Sequence, residues 1–336
     1  MSDLRIAVAL SDPLDAPTPP PSSCGLDFWQ SDEASEWVCG YLDARPASLQ
    51  VVAGGRSASL RLLLRRLPLG MRLATAYPYG CIEGDVDTFW RATAEIGRAL
   101  RNSWVAALEI PFSGEYAHQF DHATRVDHHG APKLDAVRHV LDLRSHEAST
   151  LEQGFHPNIR WSLRKASRNG CSVRRAVATD VDVLQSLYVR TMRTKRAPVN
   201  YGPQRFGGIV NVLQPSGTGC VYVGEIDGEP HGMAAVVDGR HSRHLVQLAV
   251  PPESHATRIG ELLTATAITD AVRLGRHFFD FMASSSNDAG LIAYKAKWGA
   301  VAEPIRYSVL PGVAGMPHLV RAGRWLNKAG ARLRGD

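Results

Sequence analysis

The chain has 336 residues, of which 44% are hydrophobic and 21% charged, with a formal net charge of +5 and a pI near 9.0. This length favours two ordinary hydrophobic cores, and no apolar stretch is long enough to span a bilayer. Five cysteines stand singly without a CxxC pair, which argues against a disulfide framework or zinc cluster and favours a cytoplasmic protein. The positive charge suits a polyanionic partner such as phosphate, CoA, RNA or acidic lipid.

The first residues are predicted to form a leader. The apolar run from Ile6 to Leu10 is too short for the core of a signal peptide. The next segment, Ser11 to Ser23, is rich in proline and serine, which predicts an extended and mobile chain. Residues 1–23 are therefore predicted to be disordered, with the fold starting near Cys24.

The following stretch alternates strand-like and helix-like runs. A helix pattern extends from Asp85 to Leu100, and the last extended run is His139 to Arg144. The other extended runs are SLQVVA, LRLLLRRL, MRLATA and WVAALEI. The pattern predicts a mixed α/β domain over residues 24–145.

The second half begins with a basic helix. Pro157 can open this helix, and Asn169 with Gly170 stops it. The run CSVRRAV predicts a strand, and apolar residues at helical spacing after Asp180 predict another helix. A second short helix is predicted from Pro203 to Leu213.

Three extended runs joined by tight turns follow. CVYVGEI, HGMAAVVD and HLVQLAV are separated by Asp227-Gly228 and Asp238-Gly239, and Asp-Gly between apolar runs predicts hairpins. An amphipathic helix from Thr257 to about Leu274 comes next. The chain then continues with the strand HFFDFM, a helix that carries two lysines, and the strand PIRYSVL.

This order of elements resembles the GNAT acyltransferase fold, which splays its central strands and seats an acyl donor in the gap. HVLDLRSHEASTLEQGFHPNIRWSLRKASRNGCSVRRA resembles the Fem-family segment with an N-I-R-x-x-x-x-K-A helix. FDFMASSSNDAGLIAYKAKWGA resembles the family's closing motif Y-D-F…N-D-G-L…F-K-x-x-(F/W)-G. YPYGCIEGD, from Tyr77 to Asp85, is similar to its P-Y-G-x-x-G segment.

The resemblance covers about Leu73 to Leu310 and implies a Fem-like member of the GNAT superfamily. Its fold is then α/β (α+β), with tandem GNAT-like domains, each a mixed central sheet flanked by helices. A degenerate acceptor-side domain is expected at residues 24–145, a donor-side domain at 146–312 and a basic amphipathic helix at 313–336. Tyr294 replaces the usual Phe, Ala289-Gly290 replaces a direct D-G, and the helical arm of some cell-wall members is absent.

The lysines of the closing motif are the first candidate site residues. Lys295 matches the family lysine, which in the resemblance contacts the terminal phosphate of the donor and helps to position the ester. Lys297 is a second candidate for phosphate binding. Because the two are two positions apart, they cannot share one helix face, and solvent exposure of either is the alternative.

Three further residues are candidates for catalysis. Asp280 lies in an apolar strand and matches the Y-D-F aspartate, and a buried carboxylate needs a partner. It either transfers a proton or holds the turn or an arginine. Gln247 and His244 lie on the central strand that GNAT enzymes commonly use to present polar groups to the acceptor, and a solvent-facing position is the alternative.

The remaining binding candidates lie on the basic helix and in the YPYG segment. Arg164 is the best candidate for a tRNA acceptor stem or an acceptor phosphate, although the helix cations are interpreted as spread over more than one side. Tyr77, Tyr79 and Gly80 would line the acceptor groove if the YPYG resemblance holds, and a plain turn is the alternative.

The donor is predicted from the loop before the amphipathic helix. Acyl-CoA enzymes of this fold cradle pyrophosphate with an R/Q-x-x-G-x-G/A loop, and here only Gly260 is small while Glu261 intrudes. An aminoacyl-tRNA donor is therefore favoured, with no tightly bound cofactor. The alternatives are an acyl-CoA N-acyltransferase and a non-catalytic module that binds RNA or a carrier protein.

Two other features are a cluster of histidines and acidic residues and the basic C-terminal segment. Glu115, His118, Asp121 and His122 include zinc-like spacing without an H-E-x-x-H motif, so no metal site is predicted. The basic C-terminal segment is expected to dock onto its own domain, with peripheral membrane contact as the alternative. The expected acceptor is a small-molecule or peptide amine.

Overall fold

A computed structural model describes residues 6–11, 27–67, 70–113, 119 and 136–313. Contacts divide the chain into two units. The first contains Trp29–Ala136 and continues from Pro304, and the second contains Val137–Glu303. The second unit therefore begins and ends earlier than residues 146–312, because the strand that starts at Ala136 and the residues up to Glu303 pack within it.

The first unit is a mixed sheet with helices. Its sheet has the order β1-β2-β3-β4-β6-β13, with β5 paired to β3, and β4 runs parallel to β6. The strands are β1 (Ile6–Ser11), β2 (Ala44–Ala53), β3 (Arg56–Arg66), β4 (Arg72–Thr75), β5 (Glu83–Gly84), β6 (Val105–Phe112) and β13 (Val301–Pro311). The helices are α1 (Asp32–Leu42), α2 (Val86–Arg91) and α3 (Thr93–Asn102).

Two predictions for this unit are corrected. Ile6–Ser11 was assigned to the leader but forms an edge strand antiparallel to β2, whose backbone supplies the hydrogen-bond partners that the short run lacks by itself. Residues 12–23 lie outside the described residues. The single helix predicted from Asp85 to Leu100 is two helices, because the backbone leaves helical geometry at Ala92.

The second unit is also a mixed sheet covered by helices. The order is β7-β12-β11-β10-β9-β8, and β11 and β12 are parallel. Its strands are β7 (Ala136–Asp142), β8 (Cys171–Arg175), β9 (Gly219–Ile226), β10 (Glu229–Asp238), β11 (Ser242–Ala249) and β12 (Phe278–Ser285). Its helices are α4 (Leu151–Gly154), α5 (Pro157–Arg168), α6 (Val181–Thr194), α7 (Pro203–Gly208), α8 (Gln214–Ser216), α9 (Ile259–Arg273) and α10 (Ala289–Ala296).

Helices cover both faces of this second sheet. A Cβ on Gly224 of β9 would meet Ile259 and Leu263 of α9, whereas a Cβ on Gly219 would meet Leu213 and Ile209 of the π-helical turn after α7. Positions 219 and 224 point to opposite faces because side chains alternate along a strand. The predicted α/β class and order of elements are thereby confirmed, with the meander at β9, β10 and β11.

Candidate functional site

The two parallel central strands of the second unit separate partway along their length. Pairing of β11 with β12 runs from Ser242 opposite Phe278 to His244 opposite Asp280. β11 then continues to Ala249 and β12 to Ser285. At the point of separation Met282 has a φ of 60°, a left-handed conformation that a non-glycine residue rarely adopts. Backbone groups are therefore released at the carboxyl ends of the strands, where ligands dock in α/β folds.

Lys295 is bound to the end of β12 that lies beyond its pairing with β11. Its side chain is buried, and its ammonium donates to the carbonyl oxygens of Phe281 and Met282 at 2.7 and 2.8 Å and to Ser284 Oγ at 2.7 Å. An ammonium has three protons, so each one has an acceptor. The lysine lies at the carboxyl end of β12 as the motif predicts, but it binds the strand itself. Lys297, which caps the end of α10, is exposed.

Burial changes the ionisation of this lysine. It lowers the pKa of Lys295 to about 8, against the charges of Asp280 and Asp288, which raise it. The ammonium form therefore predominates at neutral pH, while a neutral amine becomes accessible in mild alkali. The Lys295 ammonium is therefore a buried positive charge at the end of β12, and none of its three hydrogen bonds goes to a carboxylate.

We expect the unfolding free energy to rise with pH in mild alkali because of Lys295. The unfolded chain keeps this proton up to a pKa near 10.5, whereas the folded chain releases it near 8, so folding is favoured between those values. The gain is at most about 3 kcal/mol. Urea titrations at pH 7 to 10 on the parent and a Lys295→Met variant measure it. Equal pH profiles for the two proteins would contradict the shift.

Asp280 is the centre of a buried network on β12. Its Oδ2 accepts from Arg138 Nε at 2.9 Å and lies 3.0 Å from His244 Nδ1, while Oδ1 accepts from the backbone N–H of Met282 at 2.7 Å. Burial by itself raises the pKa of Asp280, but the Arg138 charge and the His244 hydrogen bond outweigh it and lower the pKa to about 2. The carboxylate stays ionised and holds the unusual backbone at Met282. The expected arginine partner is Arg138.

The two polar candidates on β11 have different surroundings. His244 is fully buried, and its Nε2 lies 2.8 Å from Ser242 Oγ, so the imidazole bridges Asp280 and a hydroxyl. Gln247 lies beyond the part of β11 that pairs with β12, and it is half-buried. Its Oε1 accepts from Arg205 at 3.3 Å, and Arg205 also donates to the carbonyl of Val246 at 2.8 Å. Gln247 is therefore the candidate that lines the separated part of the strand.

A second histidine was not predicted. His139 on β7 is fully buried, and neither ring nitrogen has a hydrogen-bond partner among the described residues. Burial and the charge of Lys295 lower its pKa, while Asp280 opposes them, so the ring is neutral. His139 therefore adds a neutral imidazole to the surroundings of Lys295.

The entrance to α9 differs from an open phosphate cradle. In the R/Q-x-x-G-x-G/A loop of acyl-CoA enzymes, two small residues stand two positions apart. Gly260 matches the second of them, and Arg258, with a φ of 70°, occupies the first. Its guanidinium lies 3.4 Å from Glu261 Oε1 in the first turn of the helix. A long cationic side chain and a carboxylate thus stand where pyrophosphate would need bare backbone N–H groups.

The acceptor candidates lie in the first unit. Tyr77 and Tyr79 help to line a small, open pocket. Its other walls are Trp29, Ser35, Arg61, Leu62, Leu63 and Cys81. Gly80 does not line this pocket: it packs on β6, where a Cβ would lie 2.4 Å from Ile110 Cγ2, and its N–H donates to the carbonyl of Pro111. Gly80 thus has a packing role in the structure, and its contact with the acceptor stays a prediction.

The other predicted features are placed as follows. Arg164 is exposed on α5. The Glu115 to His122 cluster lies outside the described residues, as does the basic segment after Val313, and within the described ranges no group of three His, Cys, Asp or Glu side chains could hold a metal. None of the helices that the structure describes is long and apolar enough to cross a membrane.

The separated strands and their buried lysine fall inside a known domain family. Residues 154–296 match the acetyltransferase (GNAT) domain, a range that includes α5, both strands of the gap and Lys295. This part of the chain is a GNAT domain. The match covers less than half of the chain, so the GNAT family is assigned to this region. No curated protein matches the sequence significantly.

Solved structures share the fold of both units. FemX superposes with a TM-score of 0.63 at 13% identity, covering 82% of this chain and 90% of FemX. A tandem GNAT protein from the clavulanic acid biosynthesis pathway gives 0.57 at 13%, covering 93% and 100%. The C-terminal domain of a protein named as a lysylphosphatidylglycerol synthetase, from Agrobacterium fabrum, gives 0.55 at 15%, covering 80% and 85%. At such identities the likeness concerns the fold.

Sequence reasoning missed several residues around the gap of this GNAT domain. Arg138, His139, Arg205 and Ser284 contact or surround the predicted residues but belong to no recognised motif. Arg138 alone had a signal, because a charged residue inside the apolar run of β7 requires a buried partner. Which carboxylate it meets depends on strand order, which the local pattern does not contain.

Proposed function

We propose that the protein transfers an aminoacyl group from aminoacyl-tRNA to an amine acceptor and forms an amide bond. The observation that carries the donor assignment is the entrance to α9, where Arg258 and Glu261 occupy the place of the open pyrophosphate cradle. A donor that does not rely on this cradle fits better than CoA. The FemX and lysylphosphatidylglycerol synthetase folds support aminoacyl transfer in general.

The chemistry follows from the separated strands. A neutral amine attacks the ester carbonyl of the donor, the C–N bond forms, and the C–O bond to the terminal ribose of the tRNA breaks. The amine loses one proton and the ribose oxygen gains one. Negative charge develops on the carbonyl oxygen in the transition state, and the fixed ammonium of Lys295 would stabilise it electrostatically.

The other residues have supporting roles in this proposal. Asp280 and His244 are closed within their own network, so they position β12 and β11 and do not exchange protons with the substrate. Gln247 is placed to orient the acceptor, with Arg205 fixing its amide. In the first unit, Tyr77 and Tyr79 are proposed to bind the acceptor through the pocket that they line. A cytoplasmic location and the absence of a tightly bound cofactor belong to the same proposal.

An acyl-CoA-dependent N-acyltransferase is the second candidate. It is favoured by the family model, which describes an acetyltransferase, and by the tandem GNAT neighbour, whose description mentions AcCoA. The left-handed turn at Arg258 and the glycine at position 260 also preserve part of the loop geometry. In this reading Arg258 would neutralise a CoA phosphate.

The donor assignment is tested by product formation. Purified protein is incubated with a pool of primary amines and either a mixture of aminoacyl-tRNAs or acetyl-CoA, and amide products are detected by mass spectrometry. We expect products only with the charged tRNAs, and their loss after ribonuclease treatment. Product formation from acetyl-CoA that resists ribonuclease would replace the proposal by the second candidate. RNA binding without any product would favour the non-catalytic module.

A further inference from the structure

Helix α5 of the GNAT domain carries a continuous cationic surface. Arg160, Arg164 and Arg168 recur every fourth residue and form one row, and Trp161 and Lys165 form the adjacent row. The buried residues Ile159, Ser162 and Ala166 lie on the opposite side. The interpretation that these cations are spread over more than one side of the helix is therefore wrong, because they form one continuous surface. We call Arg160, Trp161, Arg164, Lys165 and Arg168 the α5 basic face.

The charges of this face are not neutralised by the surrounding protein. Helix α5 has no acidic residue, and none of its four cationic side chains forms an ion pair within the described residues. Arg164 and Arg168 are exposed. A cluster of like charges that repel one another lowers stability, so such a cluster is more readily explained by an anionic partner than by folding.

An exposed aromatic ring lies within the same face. Trp161 is 44% exposed, with Lys165 Nζ 5.3 Å and Arg258 Cζ 5.4 Å from its ring centre. Both cations are within cation–π range and fix the ring in the middle of the charges. An aromatic platform among cations is the combination with which proteins bind single-stranded nucleic acid, since bases stack and phosphates pair.

The α5 basic face borders the elements of the candidate site. Asn169, just after α5, donates to the carbonyl of Thr257 at 3.3 Å, next to the start of α9. At the other end, the N–H of His156 donates to the carbonyl of Lys297 at the end of α10, the helix that carries Lys295. Helix α5 is thus attached at one end to the entrance of α9 and at the other to the end of the lysine helix.

We propose that the α5 basic face binds the single-stranded 3′ end of an RNA, which delivers the acyl ester to the gap between β11 and β12. This inference rests on the proposed aminoacyl-tRNA donor and adds the surface that recognises it. A membrane fits less well, because a helix that lies in a lipid interface turns its apolar side outward, and here that side packs inward on α9.

The test compares two arginines with the same change of charge. Arg164→Glu alters the α5 basic face. Arg193→Glu alters an exposed arginine of α6, a helix that packs on the other face of the sheet. Arg193 itself forms no ion pair in the described part of the chain. Binding of deacylated bacterial tRNA to the full chain is measured by fluorescence anisotropy at several salt concentrations. We expect Arg164→Glu to weaken binding about tenfold or more and to reduce the salt slope by about 1.

The control is expected to change affinity less than about twofold, and Trp161→Ala to weaken it about tenfold through lost stacking. Equal losses for Arg164→Glu and Arg193→Glu would overturn the inference, because attraction would then depend on net charge alone. If Arg164→Glu loses binding to phosphatidylglycerol vesicles but keeps its tRNA affinity, the inference is overturned in favour of a membrane surface. Absence of tRNA binding in the parent protein would also overturn the inference.

The surface and the proposed reaction can fail separately. Product formation from aminoacyl-tRNA with an unchanged KM for tRNA in Arg164→Glu would reject the surface and keep the reaction. Arg164-dependent tRNA binding in a protein that forms no amide with any aminoacyl-tRNA would keep the surface and reject the reaction. A raised KM with little change in kcat is the expected result.

Discussion

Replacing Lys295 by methionine is expected to lower kcat/KM for amide formation by about 100-fold or more. The change keeps the aliphatic length of the side chain but removes the buried charge and three hydrogen bonds at the end of β12. Loss of one fixed electrostatic stabiliser in an active site commonly costs about 10²–10³ in rate. Initial rates of product formation at pH 7.5 measure the effect.

Lys297→Met is the matched control, since it removes an exposed ammonium from the residue that caps the same helix. We expect a rate within about threefold of the parent, because an exposed charge contributes little. Circular dichroism and thermal unfolding of both variants separate lost catalysis from lost folding. Equal rates for a folded Lys295→Met variant and the parent would reject the role of Lys295 in the transition state.

Replacing Asp280 by asparagine is expected to lower the unfolding free energy by about 3–5 kcal/mol. The variant removes the carboxylate that accepts from Arg138 Nε and leaves the more distant Glu303, 3.6 Å from Arg138 Nη1, as an acidic partner. Removal of one partner from a buried ion pair has a cost of this size. Hydrogen bonds from His244 and from the backbone of Met282 are weakened at the same time. Urea unfolding at pH 7 measures the difference.

The exposed pair of Asp142 and Arg144 provides the control, and Asp142→Asn should cost less than about 1 kcal/mol. The pH dependence gives a second check on Asp280. Because its folded pKa is near 2 and the unfolded value near 3.8, its stabilisation is present above pH 4 and is lost as the pH falls towards 2. A cost for Asp280→Asn no larger than that for Asp142→Asn would show that the network does not hold the strand end.

Much of the fold was predictable because its signals are local. Asp227-Gly228 marks the first hairpin of the meander, and both residues have positive φ in the structure, as the turn requires. Pro157 and Asn169 bracket α5 as predicted. The strand at Ile6–Ser11 was missed because its partner is β2, far along the chain. A short apolar run does not indicate by itself which distant strand it will pair with.

The candidate site was predictable only in part. The closing motif predicted that Asp280 lies on a strand and Lys295 on the helix after it. The polar turn between β12 and α10 was also predictable from the sequence. The acceptors of the lysine could not be predicted, because they are the main-chain oxygens of Phe281 and Met282, which every sequence has. The arrangement of the α5 cations in two adjacent rows follows from helical periodicity and was available in the sequence.

The sequence by itself determined the long helices of the second unit, the hairpins, the GNAT order of elements and the position of the lysine, because periodicity, turn residues and motif spacing act over a few residues. The tertiary structure alone decided that Arg138 neutralises Asp280, that His139 is buried beside Lys295, and that β11 and β12 separate after His244. These facts depend on which strands become neighbours. That choice comes from the packing of the whole domain, in which buried charges and backbone groups must find partners far away in the chain.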